Sequence, residues 1–74
     1  MNTAADAQIT IQLDGQPHAL AAGTMLAQLL AALGHDELAV STAVNGEFVA
    51  RGQRAARVLL EADQVLLFQP IVGG

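Results

Sequence analysis

The first twenty residues predict a β-hairpin. Residues 8–13 alternate polar and apolar side chains with period two and are rich in β-branched residues, which is typical of a half-buried strand. Asp14-Gly15 then favours a tight two-residue turn. The return strand, about 16–20, is short and contains Pro17, which cannot donate a backbone hydrogen bond. We therefore expect it at the edge of a sheet.

Four leucines after this hairpin predict a helix of nine or ten residues. They recur at the i, i+3, i+4 and i+7 positions that share one helix face, namely Leu26, Leu29, Leu30 and Leu33. Thr24 is the expected N-cap and Gly34 the expected C-terminal stop, although Ala27 stands where a capping box would have Glu or Gln. Burial of the four leucines would contribute at most about 6–12 kcal/mol. The helix is therefore expected to lie on a sheet.

A second hairpin follows the helix. Residues 38–44 form an apolar run that predicts a third strand, and Asn45-Gly46 is a strong two-residue turn signal. The returning strand begins at 47–49. The small and polar residues 50–56 predict a loop with a helical turn, and 57–60 predict a further short strand.

The last apolar segment predicts a central strand. Residues 65–68 are apolar at consecutive positions, so both faces of the strand require cover. The order of hairpin, helix, hairpin and final central strand predicts an α+β β-grasp (ubiquitin-like) fold. Its mixed sheet has four to five strands, with one helix packed on one face. We expect a disordered N-terminus at 1–7, the β-grasp domain at 8–69, and an exposed, flexible functional tail at 70–74.

Composition limits the class of protein. The chain has 74 residues, 53% of them apolar, and no cysteine, so a single small hydrophobic core must stabilise it. A net charge of −4 with only three basic residues argues against nucleic-acid binding. The sequence contains neither a membrane-spanning apolar run nor a secretion signal at its start, so a cytoplasmic location is expected.

Candidate catalytic and metal-binding groups are sparse. His18 and His35 are the only imidazoles, and both are expected to be surface residues. Asp36-Glu37 and Asp63 are expected in solvated turns, where they would not form an acid–base pair. No nucleophile–base pair or cofactor motif is evident, which argues against an enzyme.

The three arginines, which are the only basic residues, lie together in one segment as Arg51, Arg54 and Arg57. Two interpretations remain open for them: pairing with acidic residues of a partner, or a solvated loop.

A partner-binding surface is predicted on the last strand. If Val65 and Leu67 face the helix, then alternation places Leu66 and Phe68 on the opposite face. A single helix covers only one face of a small sheet. Leu66 and Phe68 would then lie in an exposed apolar patch, which is typical of an interaction site.

The sequence ends in Gly73-Gly74, which leaves the terminal carboxylate without neighbouring side chains. A chain without Cβ atoms fits a narrow active site. The four residues before Gly74 would enter that site with it, as the segment Pro70, Ile71, Val72 and Gly73. Pro70 would stiffen the tail where it leaves the domain, because its φ is fixed.

These elements resemble one family. The combination of Asn45-Gly46, Val49-Ala50-Arg51, an acidic turn at Asp63 and the apolar strand 65–68 before Gly-Gly is similar to the sulfur carriers of thiamine biosynthesis, the ThiS family. The nearest relative considered is the small subunit of molybdopterin synthase (MoaD). The chain departs from the thiamine carriers at Ala50, where they commonly have proline, and at Ala62, where they have glycine. Near Arg54 they often have an aromatic residue.

The resemblance implies a covalent carrier whose chemistry is catalysed by partner enzymes. An adenylating enzyme (ThiF-like) would use ATP with Mg²⁺ to activate the carboxylate of Gly74. Sulfur from a cysteine desulfurase system would then convert it to a thiocarboxylate, which a thiazole synthase (ThiG-like) would consume. By the same resemblance, the face with Leu66 and Phe68 would dock the adenylating enzyme. The carrier itself would bind no cofactor.

Three alternatives stay open at this point: a sulfur donor for the molybdenum cofactor, a ubiquitin-like modifier of other proteins, and a plain interaction module with an accidental Gly-Gly end.

Overall fold

A computed structural model describes residues 7–69, which form one mixed five-stranded sheet with a helix on one face. In chain order the elements are β1 (Gln8–Leu13), β2 (Gln16–Ala21), α1 (Leu26–Ala32), β3 (Ser41–Val44), β4 (Glu47–Val49), a 3₁₀ helix (Arg51–Ala56) and β5 (Gln64–Phe68). The strand order is β2-β1-β5-β3-β4, with β5 parallel to β1 and antiparallel to β3. The β-grasp prediction is confirmed, with β5 central and the Pro17 strand at an edge.

Both hairpins turn where the sequence predicts. Asp14 and Gly15 have φ of 51° and 83°, and Asn45 and Gly46 have 53° and 84°. Positive φ at both central residues is the pattern of the type I′ turn, whose twist matches the flanking strands. The turns fix the register, with Leu13 opposite Gln16 and Val44 opposite Glu47.

The helix is shorter than expected and begins one residue later. Its N-cap is Met25, not Thr24, and it has 7 residues. The Thr24 hydroxyl instead donates to the carbonyl of Ala21 at 2.6 Å, while Gln28 Oε1 accepts the Met25 N–H at 2.8 Å. Gln28 thus supplies one half of a capping box in a register shifted by one residue from the predicted one.

The predicted helix stop is confirmed. Gly34 has a φ of 81°, and its N–H donates to the Ala31 carbonyl while the His35 N–H donates to that of Leu30. These two bonds are those of a Schellman motif, which satisfies the last carbonyls of a helix.

The core lies between α1 and the sheet. The predicted leucine face is confirmed: Leu26, Leu29 and Leu30 are buried, and Leu33 is partly buried against the core. The sheet contributes three fully buried side chains that pack against this face, Ile11, Val44 and Val65. The loop between the 3₁₀ helix and β5 contributes a fourth, Leu59.

Two predicted strands differ from the structure. The third strand starts at Ser41 and not at Leu38, because Asp36 forms a turn by accepting the N–H of Leu38 on its carboxylate and that of Ala39 on its carbonyl. Leu38 is consequently 66% exposed. Residues 57–60 form no strand and contribute only an isolated bridge between Val58 and Met25.

Candidate functional site

The face of the sheet opposite α1 carries an exposed apolar surface on its last three strands. Leu66 and Phe68 of β5 are 40% and 50% exposed, and Phe48 of β4 is 71% exposed. Ala43 of β3 pairs with both Leu66 and Phe48, so these side chains form a row across three strands. Phe48, Leu66 and Phe68, together with the largely buried Ala43 that lies between Phe48 and Leu66 in the sheet, are called the open face.

The geometry predicted for the last strand is confirmed. Val65 is fully buried and Leu67 packs partly against the core, so alternation along β5 places Leu66 and Phe68 on the other side. Their role in binding a partner stays a prediction.

Phe48 was not identified from the sequence as part of this surface. The available signal was the Asn45-Gly46 turn, which fixes the pairing of Ala43 with Phe48 and places the following Val49 in the core.

The open face becomes polar towards β1. Gln12 of β1 pairs with Gln64 of β5, and both residues border a concavity of about 220 Å³ that also contacts Leu66. The apolar part of the face is therefore confined to β5, β3 and β4.

The end of β5 is tied to the body of the protein where the tail begins. Phe68 pairs with Ser41, and the Asp14 carboxylate accepts the Leu67 N–H at 3.0 Å. The Asp14 N–H in turn donates to the Val65 carbonyl at 2.9 Å. These bonds hold the strand from which the tail departs. The predicted tail residues Pro70, Ile71, Val72, Gly73 and Gly74 lie outside the described residues.

Asp63 is not the solvated turn residue that the sequence suggested. It is 7% exposed, and its carboxylate accepts the Leu60 N–H at 2.8 Å and the Asn45 amide at 2.9 Å. Asn45 also accepts the Gln64 N–H at 2.9 Å. This network joins the β3–β4 turn to the start of β5. The burial of Asp63 could not be predicted from the sequence, because Asn45 lies 18 residues before Asp63 and 19 residues before Gln64.

Arg54 fits neither interpretation of the arginine cluster. It is 4% exposed and donates to the Thr42 hydroxyl (3.2 Å), the Glu37 carbonyl (3.0 Å) and the Val40 carbonyl (2.6 Å). All three acceptors are neutral oxygens. The guanidinium therefore links the 3₁₀ helix by hydrogen bonds to β3 and to the connection between α1 and β3. Arg54 is a structural residue.

Arg51 and Arg57 lie on different sides of the 3₁₀ helix. Arg51 lines a concavity of about 200 Å³ shared with His35 and Glu37, and Arg57 lines one of about 340 Å³ shared with Phe48. The cluster seen in sequence is therefore divided into one buried and two accessible cations.

The histidines are distributed apart from the open face. His18 lies in edge strand β2 and is half-buried, and His35 follows the C-terminus of α1. Among residues 7–69, no three His, Asp or Glu side chains are grouped so that they could hold a metal ion. Across the same part of the chain, no helix is long and apolar enough to cross a membrane.

Comparison with known proteins gives concordant matches. The ThiS family model matches residues 8–74. The chain is 36% identical to the sulfur carrier protein ThiS of Escherichia coli K12 over 64 residues, which are 86% of this chain and 97% of that protein. A crystal structure of the thiamine biosynthesis protein ThiS from Geobacter metallireducens matches with a TM-score of 0.79 and 25% identity, covering 89% of this chain and 100% of that one.

A thiazole synthase of Magnetococcus marinus is 42% identical over 64 residues. That match covers 86% of this chain but only 20% of the synthase, so this chain spans a fifth of that relative's length. The two ThiS proteins from Escherichia coli and Geobacter metallireducens match this chain over most of its length and almost all of theirs. These matches favour the thiamine pathway over the molybdopterin pathway. The chain belongs to the ThiS family, the sulfur carriers of thiamine biosynthesis.

Proposed function

We propose that this sulfur carrier is loaded at Gly74 and docks on its partner enzymes through the open face. The observation that carries the proposal is the position of that face: its central strand β5 leads directly into the tail, and the family match continues through residue 74. A partner that covers Leu66 and Phe68 would therefore receive the tail at its own active site.

The chemistry at Gly74 requires activation by another protein. A terminal carboxylate has a pKa of about 3.3–3.7, so it is anionic and resistant to nucleophiles at neutral pH. Attack of the carboxylate on ATP, with Mg²⁺, gives an acyl adenylate and releases pyrophosphate. The terminal sulfur of a persulfide then attacks the acyl carbon and AMP leaves, which gives an acyl disulfide. A thiol attacks the other sulfur of this disulfide, forms a new disulfide with it and releases the thiocarboxylate, so that sulfur stands where one carboxylate oxygen was.

The partners are those that membership of the ThiS family implies. A ThiF-like adenylating enzyme supplies the ATP site, a cysteine desulfurase system supplies the sulfur, and a ThiG-like thiazole synthase consumes the thiocarboxylate. The Magnetococcus relative supports the last partner, because a segment similar to this chain belongs to a polypeptide named thiazole synthase. The carrier acts as a co-substrate of these enzymes and contributes no catalytic group of its own.

Mass spectrometry tests the loading step directly. After incubation with the adenylating enzyme, ATP, Mg²⁺ and a sulfur source, the intact protein should show one oxygen replaced by sulfur. Deletion of Gly74 should abolish this change and leave the urea unfolding midpoint nearly unaltered, because a terminal glycine has no side chain to pack. An unchanged mass under conditions that load a control carrier would refute the proposal.

The docking role of the open face needs a matched control. Phe68→Ser and Leu66→Ser should each raise the KM for the carrier in the adenylation reaction. Leu38→Ser removes a similarly exposed leucine away from the open face and should not. Equal effects of all three variants would remove the open face from the proposal.

A ubiquitin-like modifier would use the same tail. Immunoblots of cell lysate distinguish the two functions: a carrier gives a single free band, whereas a modifier gives a ladder of larger species that depends on Gly74.

A further inference from the structure

A groove beside edge strand β4 has no role in the function described so far. It lies between β4 and the 3₁₀ helix, has a volume of about 340 Å³, and is lined by Phe48, Val49, Ala50, Gln53, Ala56 and Arg57. Four of these six residues are apolar, and only Arg57 is charged. An apolar floor with one cation at its margin suits a polypeptide segment that carries both an apolar and an acidic side chain.

The groove is continuous with the open face. Phe48 belongs to both: it stands in the row with Ala43 and Leu66, and it also forms a wall of the groove. Because Phe48 is 71% exposed, a partner seated on the open face reaches the groove without a break in apolar contact. Exposed aromatic side chains are frequent anchors in interfaces.

The distribution of charged residues favours an acidic partner segment at the groove. The chain has seven acidic and three basic residues, and the basic ones all lie between 51 and 57. The acidic residues are spread along the chain, and Glu47, which precedes Phe48 on β4, does not line the groove. Arg54 is turned into the protein, which leaves Arg57 as the cation in this groove and Arg51 on the other side of the helix. Charge complementarity of this kind chiefly governs encounter and register.

We propose that the groove binds a segment of the adenylating enzyme in which an apolar side chain lies next to an Asp or Glu. The apolar side chain fills the space between Phe48 and Ala56, and the carboxylate pairs with Arg57. This inference rests on the proposed function, since it assigns a second contact to the same docking event. Specificity for the partner then comes from the groove, while the open face supplies general apolar contact.

Two variants test the two halves of the contact. Arg57→Gln removes the cation, and Ala56→Leu fills the groove without changing charge. Each should raise the KM for the carrier in ATP-dependent adenylation, roughly threefold to tenfold for the first at low salt, with kcat unchanged. The Arg57→Gln effect should disappear at about 1 M NaCl, where the Debye length is about 3 Å.

The controls lie on the opposite edge of the sheet. Gln16→Glu changes the net charge by the same amount as Arg57→Gln, and Ala22→Leu adds the same atoms as Ala56→Leu; both positions are exposed near or in β2. Neither control should change KM, and all four variants should keep the far-UV circular dichroism of the parent.

The outcomes separate this inference from the proposed function. Normal KM for Arg57→Gln and Ala56→Leu, with adenylation intact, overturns the groove and leaves the carrier function standing. An equal rise in KM for Gln16→Glu shows a net-charge effect and also overturns the groove proposal.

A lower KM for Ala56→Leu would mean that the groove holds the protein's own tail. A concentration-dependent dimer abolished by Arg57→Gln would mean that it holds a second copy. Absence of any adenylation of the parent protein removes both proposals.

Discussion

Replacement of Arg54 should destabilise the protein more than any other change at its arginines. Arg54→Met keeps the aliphatic stem and removes the guanidinium, so three hydrogen bonds are lost and the carbonyls of Glu37 and Val40 lose their donor. Hydrogen bonds from a charged donor contribute about 1.5–3 kcal/mol each. Against that gain stands the burial of a cation among neutral oxygens, which costs several kcal/mol.

The balance gives an expected loss of about 2–4 kcal/mol in the free energy of unfolding. A domain of this size has about 4–11 kcal/mol in total, so the variant retains only part of its stability. For a domain of 60–100 residues each kcal/mol lowers Tm by about 4–8 °C, so a drop of roughly 8–32 °C follows. Arg54→Lys should recover little, because one ammonium group cannot reproduce the three divergent donors.

The assay is urea unfolding followed by far-UV circular dichroism, since the chain has no tryptophan or tyrosine for fluorescence. Arg51→Met is the matched control: Arg51 is exposed, and the same substitution there should change stability by less than about 0.5 kcal/mol. A loss below about 1 kcal/mol for Arg54→Met, or equal losses for both variants, would show that the buried guanidinium is not a net source of stability.

Three further outcomes are expected. Ala62 has a φ of 70°, where an L side chain is strained, so Ala62→Gly should raise the free energy of unfolding by about 0.5–1 kcal/mol. Ala31→Gly, inside the helix, should lower it by about the same amount. Thermal unfolding measures both variants, and a lower Tm for Ala62→Gly would contradict the strain. Asn45→Gly keeps the positive φ but removes the hydrogen bonds to the Asp63 carboxylate and the Gln64 N–H. Urea unfolding should therefore show a free energy of unfolding lower by about 1–3 kcal/mol. No change would mean that the turn needs only its backbone geometry. Phe48→Ser should weaken docking in the adenylation assay while stability is preserved, because its side chain is exposed; a loss of stability without a change in KM would place Phe48 in the core instead.

Local patterns in the sequence determined the fold. Asp14-Gly15 and Asn45-Gly46 required positive φ at consecutive residues, and the leucine spacing required one buried helix face. The apolar run 65–68 correctly indicated a central strand, but only one of its faces is covered, since Leu66 and Phe68 are exposed on the other. Each of these signals acts between residues close in sequence, and the order of elements then left few topologies. The same alternation placed Leu66 and Phe68 on the exposed face of β5.

Contacts distant in sequence were decided only by the tertiary structure. Arg54 resembles its neighbours Arg51 and Arg57 in sequence, and only the carbonyls of Glu37 and Val40, placed by the chain reversal after α1, make it a buried residue. Asp63 is buried for the same reason, because the β3–β4 turn brings Asn45 to it. A polar side chain enters a core only where the fold delivers partners for all its hydrogen bonds, and a linear sequence does not display those partners.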